Sequence, residues 1–256
     1  MLKNKLKNKE LTIGSWISLA NNSIAEILAN AGFDWLVVDL EHSTISINQA
    51  GDLIRTIDLA GGTPLVRLTN NDDNQIKRVL DAGAHGIIVP MVNNVDDAIR
   101  AVSSSRYPPD GTRGVGLARA QGYGANFNSY FSSQSKGDEG PVVIVQIEHI
   151  DALKNISEIF KIPEIDGFII GPYDLSCSMG IPGDFDNKEF LDVINQIREA
   201  AKNIGMPAGI HIVEPDINKL KDALKESYKF IAYSVDIRML DTTAREGIKL
   251  VKNIEK

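Results

Sequence analysis

Glu148 and Asp174 each end a short apolar segment of this 256-residue sequence. Glu148 closes the segment 142–148 (VVIVQIE), and Asp174 closes the segment 167–174 (GFIIGPYD). A run of β-branched residues that stops at a carboxylate is typical of a strand buried on both faces, with its last residue at the rim of a sheet. Two carboxylates at neighbouring strand ends favour an oxygen-binding divalent cation such as Mg²⁺ or Mn²⁺.

Helix capping is the alternative interpretation of the two acids, and for Asp174 alone it is as good as metal ligation. The occurrence of both acids on consecutive strands favours ligation. Two carboxylates leave most of an octahedral shell to water and substrate oxygens, which suits bidentate binding of a 2-oxo acid. Gln146 lies two residues before Glu148, on the same face of the strand, where it could orient a water or the substrate.

Arg67 and His42 stand at the ends of two further apolar segments. A guanidinium beside acids suits a carboxylate or a developing enolate, with a surface salt bridge as the alternative. His42 is a candidate proton carrier because an imidazole titrates near physiological pH, and a structural histidine is the alternative. Asp81, near the end of a predicted helix, is a candidate partner that orients His42.

Segments with strand character alternate with segments of helical periodicity along the chain. The predicted strands are 11–19, 34–42, 63–68, 86–91, 142–148, 167–174, 207–212 and 230–236. The predicted helices are 23–31, 45–60, 72–82, 95–105, 152–160, 188–203, 216–226 and 238–254. This alternation predicts an α/β fold, a (β/α)8 TIM barrel that forms a single domain over residues 1–256. In such a barrel the carboxyl ends of the strands converge at one mouth, so the polar residues above are expected to meet.

The segment 106–140 interrupts the alternation. It begins with the turn-forming sequence RYPPDG and continues through an aromatic, polar stretch from residue 123 to residue 140. Loops of this length in a compact domain are typically functional or mobile. We expect an inserted rim loop that covers the site or contacts another subunit.

Composition limits the partners and the location of the protein. A formal net charge of −7 argues against nucleic acid and anionic membranes as partners, and no apolar run is long enough to span a bilayer. The lysine-rich residues 1–9 are not followed by the apolar segment of a targeting peptide. A single cysteine, Cys177, excludes an internal disulfide and fits a reducing compartment. We therefore predict a cytoplasmic protein.

Two kinds of chemistry lack the residues they need. No lysine ends a predicted strand, and Lys229 precedes the last strand, at the opposite end of the barrel, so a Schiff-base mechanism has no nucleophile. No Gly-x-Gly-x-x-Gly motif opens a helix after a strand, so a dinucleotide is not predicted.

Several sequence blocks in a fixed order resemble those of the HpcH/HpaI aldolases, a family of metal-dependent class II pyruvate aldolases. The blocks are 14–16 (GSW), 39–42 (DLEH), 64–67 (PLVR), 89–92 (VPMV), 106–109 (RYPP), 113–116 (RGVG), 146–148 (QIE) and 171–176 (GPYDLS). They span nearly the whole chain, and their order makes the resemblance specific.

The resemblance implies a role for each candidate residue. Glu148 and Asp174 resemble ligands of a divalent metal, Mg²⁺ or Mn²⁺ with Co²⁺ as a further option. Arg67 resembles the residue that binds pyruvate and stabilises its enolate. The remaining implied roles are an acid/base pair of His42 with Asp81, a second pyruvate contact at Gln146, and a cradle for the pyruvate carboxylate around Gly171, Pro172 and Tyr173.

The resemblance also implies partners and an activity. The expected reaction is cleavage of a 4-hydroxy-2-oxo acid to pyruvate and an aldehyde through a metal-stabilised enolate. The expected assembly is a homo-oligomer, a hexamer or trimer of dimers, with the helix 238–254 packed on a neighbouring subunit.

His211 departs from the family pattern, which has an apolar residue that touches the aldehyde. An imidazole there favours a polar or anionic aldehyde, or adds a second proton donor. It is also compatible with a CoA-thioester synthase or lyase of the same fold, which is the alternative function. A non-catalytic barrel is the third hypothesis, and the ionisable groups at the strand ends argue against it.

Overall fold

Eight parallel strands form a closed barrel in the computed structural model, which describes residues 1–134 and 140–254. Each strand pairs with the next strand in the sequence, and the last pairs with the first. The strands are β1 (Thr12–Ile17), β2 (Trp35–Asp39), β3 (Thr63–Arg67), β4 (Gly86–Val89), β5 (Val142–Ile147), β6 (Gly167–Ile170), β7 (Gly209–Ile212) and β8 (Phe230–Val235). The predicted (β/α)8 barrel is confirmed.

Helices connect the strands around the outside of the barrel. In the described part of the chain they are α1 (Leu2–Lys7), α2 (Asn22–Asn30), α3 (Ile47–Leu59), α4 (Asp73–Asp81), α5 (Val95–Ser105), α6 (Phe127–Gln134), α7 (Ile156–Phe160), α8 (Pro172–Ser178), α9 (Lys188–Ile204), α10 (Ile217–Lys225) and α11 (Asp236–Ile254). Two short 3₁₀ segments, Arg119–Gln121 and Ile150–Asn155, supplement them. The helix predicted for residues 95–105 coincides with α5.

Two apolar layers hold these elements together. An outer layer fills the space between strands and helices, and most of its members are Ile, Leu and Val residues with almost no exposure. An inner layer fills the barrel, where the rings of Trp35 and Phe230 stack with centroids 4.1 Å apart. Because both faces of the strands are buried, the strands read as continuous apolar runs, as the sequence predicts.

Helix α1 was not predicted from the lysine-rich start of the chain. Leu2 and Leu6 lie one turn apart on this helix and are buried in the inner layer of the barrel. Lys3 and Lys5 bind Asp166 and Asp34 at N–O distances of 3.1 Å and 2.6 Å. The helix therefore closes the amino-terminal end of the barrel with two leucines that its charged neighbours obscure in the sequence.

Three further predictions of local structure need correction. Helix α2 begins at Asn22, one residue before the predicted start, because the side chain of Asn21 accepts the backbone N–H groups of Ser23 and Ile24 and caps the helix. Helix α8 was not predicted, although Pro172 at its first position is a known start signal. The predicted rim loop 106–140 contains a 3₁₀ segment and α6, and its residues 135–139 lie outside the described residues.

None of the described helices combines the length and the apolar character that a bilayer span requires.

Gly14 in β1 sits against the indole of Trp35, so this position tests the packing inside the barrel. A Cβ atom at Gly14 would lie 2.1 Å from a ring carbon of Trp35, a distance that no packed structure tolerates. We expect Gly14→Ala to lower the free energy of unfolding by about 3 kcal/mol, because the Trp35–Phe230 stack must move. Denaturant titration measures the change.

Gly51→Ala is the matched control for this substitution. Gly51 lies within α3, and a Cβ atom there would meet nothing within 4 Å. Alanine at this position should stabilise the protein by up to about 1 kcal/mol through its helix propensity. Equal stability of the two variants would contradict the packing described for β1 and β2.

Candidate active site

A cavity of about 310 Å³ opens at the carboxyl ends of the strands. Its walls combine charged, amide, aromatic and aliphatic side chains from strands β1, β3, β5, β6 and β7 and from the segments that follow β2, β6 and β7. The lining residues are Trp16, His42, Arg67, Gln146, Ile169, Ile170, Gly171, Pro172, Tyr173, Asp174, His211 and Val213. Every predicted site residue except Glu148 and Asp81 lines this cavity.

A larger cavity of about 830 Å³ lies at the opposite end of the barrel. Its lining includes residues of α1 and the segments that precede β6 and β7. Barrel enzymes place their chemistry at the carboxyl ends of the strands, and the candidate catalytic residues gather there in this chain as well. The smaller cavity is therefore the candidate active site.

Arg67 ends β3 inside this cavity and is held from two sides. Its Nε and Nη2 atoms donate to the two carboxylate oxygens of Asp39 at 2.8 Å and 2.6 Å, and its Nη1 atom lies 3.3 Å from Oε2 of Glu41. The guanidinium carbon lies 4.4 Å from the ring centroid of Trp16, a cation–π contact. The guanidinium of Arg67 therefore lies in the cavity, as predicted, and its orientation is fixed.

Asp39 is a site residue that the sequence reasoning missed. Burial raises the pKa of this carboxyl, but the hydrogen bonds and charge of Arg67, together with two backbone N–H groups, outweigh burial and lower the pKa below its usual value. The sequence did contain a signal, because Asp39 and Arg67 end adjacent parallel strands and are register partners. An acid and a base at paired strand ends are expected to meet.

Glu148 follows β5 and is almost fully buried, with 2% of its surface exposed. Its Oε1 atom accepts the backbone N–H of Met91 at 2.8 Å, and its Oε2 atom accepts a hydrogen bond from Nε2 of Gln146. Burial raises the pKa of Glu148 to about 7, against the hydrogen bonds, and the charges of Glu41 and Asp174 raise it further. An ionised Glu148 therefore has no compensating positive charge among the described residues that affect its pKa.

Glu41 shares this environment. Burial raises the pKa of Glu41 to about 7, the Arg67 charge opposes this shift, and the charges of Asp39 and Asp174 add to it. Its Oε2 atom is buried and makes no hydrogen bond with any residue that the structure describes. The charge of Asp174 thus disfavours the ionisation of both Glu41 and Glu148, and Arg67 compensates only part of this effect at Glu41.

This donor set fits a divalent cation. Carboxylate oxygens are the ligands that Mg²⁺ and Mn²⁺ prefer, and buried acids of like charge gain most from a cation between them. The Oε1 atom of Gln146 is buried beside Glu148 and has no hydrogen-bond partner in the described part of the chain, which leaves one more oxygen for a water or the substrate. Among the described residues no group of three or more Asp, Glu, His or Cys side chains forms a complete cage, so most ligands must be water or substrate.

Asp174 enters the cavity from α8, just past the end of β6. The preceding Gly171 leaves room for the site, because a Cβ atom there would lie 2.7 Å from Oε2 of Glu148 and 3.2 Å from Nε2 of Gln146. Pro172 and Tyr173 complete this wall, and the Tyr173 ring meets Phe185 edge-on at 5.0 Å. Because Gly171 has no side chain, its backbone is accessible from the cavity, as the predicted carboxylate cradle requires.

His42 and Asp81 are not brought together within the described chain. His42 lies at the cavity mouth with 61% of its side chain exposed, and its Nε2 atom lies 3.9 Å from Oε2 of Glu41. Asp81 instead accepts a hydrogen bond from Nη2 of Arg113 at 2.7 Å and does not line the cavity. The sequence reasoning did not foresee Arg113 as its partner, and the pairing of Asp81 with His42 stays a prediction.

His211, on β7, is the last of the predicted polar residues that line the cavity. Its ring packs on Trp16 with centroids 5.0 Å apart, and its Nε2 atom lies 3.3 Å from the carbonyl oxygen of Ser234. Burial lowers the pKa of His211 to about 3, and the charge of Arg67 lowers it too. The imidazole is therefore neutral at physiological pH, which argues against its predicted use as a cationic contact or as a second proton donor.

Comparison with known proteins identifies the family. The family model described as HpcH/HpaI aldolase/citrate lyase matches residues 12–242. The chain belongs to this family. The resemblance inferred from the sequence blocks is thereby confirmed.

Two curated relatives of the family cover nearly all of the chain. The 2-dehydro-3,6-dideoxy-6-sulfogluconate aldolase of Pseudomonas putida is 35% identical over 96% of this chain and 95% of its own length. The 4-hydroxy-2-oxo-heptane-1,7-dioate aldolase of Shigella sonnei is 37% identical over 93% of this chain and 90% of its own length. Such relatives identify the protein as an enzyme, a carbon–carbon lyase of the aldolase type.

Solved structures agree with this assignment. A family member from Burkholderia cenocepacia superposes with a TM-score of 0.91 at 31% identity, over 98% of both chains. A citrate synthase superposes with a TM-score of 0.86 at 26% identity, over 99% of this chain and 98% of that one. The citrate synthase keeps a synthase reaction open as the alternative.

The raised pKa values of Glu41 and Glu148 give the metal-free protein a distinctive pH dependence. Both groups ionise near pH 4.5 in the unfolded chain and near pH 7 in the folded protein. Between these values the folded state keeps protons that the unfolded state has lost, so the free energy of unfolding falls as pH rises and the loss is complete above about pH 7. Calorimetry in EDTA should show a melting temperature several degrees lower at pH 8 than at pH 6.

Mn²⁺ and Glu148→Gln are the controls for this pH effect. Saturating Mn²⁺ should restore the melting temperature at pH 8, because the cation binds only the ionised acids. Glu148→Gln removes one of the two titrations and should make the protein less sensitive both to pH and to Mn²⁺. A melting temperature that rises from pH 6 to pH 8 in EDTA would contradict the burial of uncompensated acids.

Proposed function

We propose that this protein cleaves a 4-hydroxy-2-oxo acid to pyruvate and an aldehyde, with a divalent cation bound by Glu148 and Asp174. The observation that carries the proposal is that Arg67 and Asp174 line one cavity and that Glu41 and Glu148 are buried beside it, where the charges of Glu41 and Asp174 raise the pKa of Glu148. When bound, the cation supplies a Lewis acid that polarises the keto group of the substrate. Mg²⁺ and Mn²⁺ both fit the oxygen donors, and Co²⁺ remains an option.

The chain's own residues hold the 2-oxo acid. Arg67 lies where it can donate to the keto oxygen, since its orientation is fixed by Asp39 and its charge stabilises the enolate that forms there. Gln146 contributes an oxygen or, after rotation, an N–H group to the same part of the substrate. The open backbone at Gly171 to Tyr173 leaves space for the carboxylate.

Cleavage needs a base for the 4-hydroxyl group, and His42 is the candidate. His42 takes the 4-hydroxyl proton through a water, the bond between C3 and C4 breaks, and its electron pair moves to the enolate beside Arg67. The hydroxyl carbon leaves as the aldehyde, and protonation of the enolate at C3 yields pyruvate. The exposed position of His42 at the mouth supports this role, because a water and the departing aldehyde can both reach it.

Metal removal tests the proposal directly. We expect retro-aldol turnover of a 4-hydroxy-2-oxo acid to fall at least about 100-fold after EDTA treatment and gel filtration, and to return with Mg²⁺ or Mn²⁺, because the cation stabilises the enolate charge. Glu148→Gln should lower turnover by a similar factor even with excess metal. Pyruvate release coupled to lactate dehydrogenase measures the rate.

Unchanged turnover in the metal-free protein would overturn the proposal. The same preparation, incubated with oxaloacetate and acetyl-CoA and assayed for free thiol, tests the alternative of a CoA-thioester synthase or lyase. The similarity to a citrate synthase favours including this assay. Thiol release without retro-aldol activity would replace the aldolase proposal with the alternative.

We also propose that the enzyme is a cytoplasmic homo-oligomer, a hexamer or trimer of dimers, that uses α11. This helix exposes a stripe of apolar residues along one side, including Leu240 at 63%, Ile248 at 58% and Val251 at 52% exposure. Residues 106–134 of the predicted rim loop are a second candidate contact. The lone Cys177 is exposed, as is acceptable in a reducing compartment.

The oligomer is tested by light scattering. Leu240→Asp should dissociate the assembly into smaller species, because a carboxylate would be buried in the contact. Leu59→Asp is the matched control, since Leu59 is 77% exposed at the end of α3 and should leave the mass unchanged. A monomeric wild-type protein would contradict the proposal.

A further inference from the structure

Ser234 interrupts the regular geometry of β8 at the site. Its φ of +58° is left-handed, and the pairing of β1 with β8 shifts register between Gly14 and Trp16 at this point. The carbonyl oxygen of Ser234 accepts a hydrogen bond from Oγ of Ser15 at 3.3 Å and lies 3.3 Å from Nε2 of His211. The irregularity therefore supplies a backbone acceptor to the ring of His211.

This contact fixes the tautomer of His211. A carbonyl oxygen can only accept, so Nε2 must carry the proton, and in a neutral imidazole Nδ1 is then a hydrogen-bond acceptor. The low pKa of His211, which burial causes, agrees with a neutral ring. The tilted contact with the Trp16 ring limits rotation of the imidazole, and Nδ1 receives no hydrogen bond from the described residues.

The cavity offers little to a second negative charge on the substrate. Among its described lining residues Arg67 is the one permanent cation, its Nε and Nη2 atoms donate to Asp39, and its Nη1 atom lies 3.3 Å from Oε2 of Glu41. Asp174 lies in the same wall. An anionic group at the far end of the aldehyde would thus face acids and a neutral imidazole rather than a free cation.

We propose that His211 selects aldehydes that carry a hydroxyl group beyond the carbonyl, whose O–H donates to Nδ1, over aldehydes that end in a carboxylate or a sulfonate. This inference rests on the proposed function and names the substrate class of its second product. An apolar aldehyde is disfavoured because it leaves the Nδ1 acceptor unpaired on desolvation.

Aldol addition to pyruvate with Mn²⁺ tests the selection in the wild-type enzyme. Glyceraldehyde carries hydroxyl groups, propionaldehyde has the same carbon number without them, and succinic semialdehyde ends in a carboxylate. We expect kcat/KM for glyceraldehyde to exceed that for each of the other two by about tenfold or more. The preference should stay constant from pH 6 to pH 8, because His211 gains no charge in that range.

Variants of His211 separate selection from general loss of activity, since the readout is a ratio within one protein. His211→Phe keeps a ring without an acceptor and should bring the glyceraldehyde to propionaldehyde ratio close to one. His211→Asn offers an amide oxygen near the position of Nδ1 and should restore part of the preference. His85→Phe is the matched control at the other end of the barrel, where His85 pairs with Asp58, and should keep the wild-type ratio.

Two results would overturn the inference. One is equal or better use of succinic semialdehyde by the wild-type enzyme, and the other is an unchanged ratio in both His211 variants. Exchange of the pyruvate methyl protons with D₂O, followed by NMR without aldehyde, separates this failure from failure of the proposed function. Exchange without a hydroxyl preference overturns only the selection by His211, whereas no exchange overturns the enolate chemistry itself.

Discussion

The paired contact between Arg67 and Asp39 is the interaction on which the site depends. Both residues end adjacent strands in register, so the barrel itself sets their distance. Both side chains are buried, and removal of either partner would leave a buried charge without compensation. Trp16 covers the guanidinium from below and also supports the ring of His211. The ion pair thus orients the guanidinium, and Trp16 joins it to His211 on another side of the cavity.

Charge balance follows from this pair. Asp39, Glu41, Glu148 and Asp174 carry a formal charge of −4 when ionised, and Arg67 reduces the sum to −3. Burial raises the pKa of both Glu41 and Glu148 to about 7. Without a cation the protein therefore relieves this charge by holding protons on these acids. A divalent cation would reduce the sum to −1 and leave the acids ionised. The same acid cluster explains both an affinity for metal and a poor fit for a further anionic group.

Much of the architecture could be predicted from the sequence because it depends on local patterns. Apolar runs that end at Arg67, Glu148 and Asp174 marked both the strands and the mouth of the barrel. Features that depend on distant contacts were missed. Helix α1 depends on burial of Leu2 and Leu6 beneath the barrel, and the role of Asp39 depends on strand register.

Other features could not be predicted from the sequence because they depend on the conformation of individual residues. The neutral state of His211 depends on its burial beside Arg67, and its tautomer depends on the irregular backbone at Ser234, which no residue pattern announces. Asp81 shows a further limit, since its hydrogen-bond partner Arg113 lies on a distant loop and was not foreseen. Charges on neighbouring helices and loops choose partners by geometry that spacing alone does not fix.

Anomalous diffraction from crystals soaked with Mn²⁺ and pyruvate tests the central claim most directly. We expect one strong Mn²⁺ peak within ligand distance of a carboxylate oxygen of Glu148 and of Asp174, with pyruvate completing the shell beside Arg67. A peak bound by other residues, or pyruvate bound away from Arg67, would contradict the account.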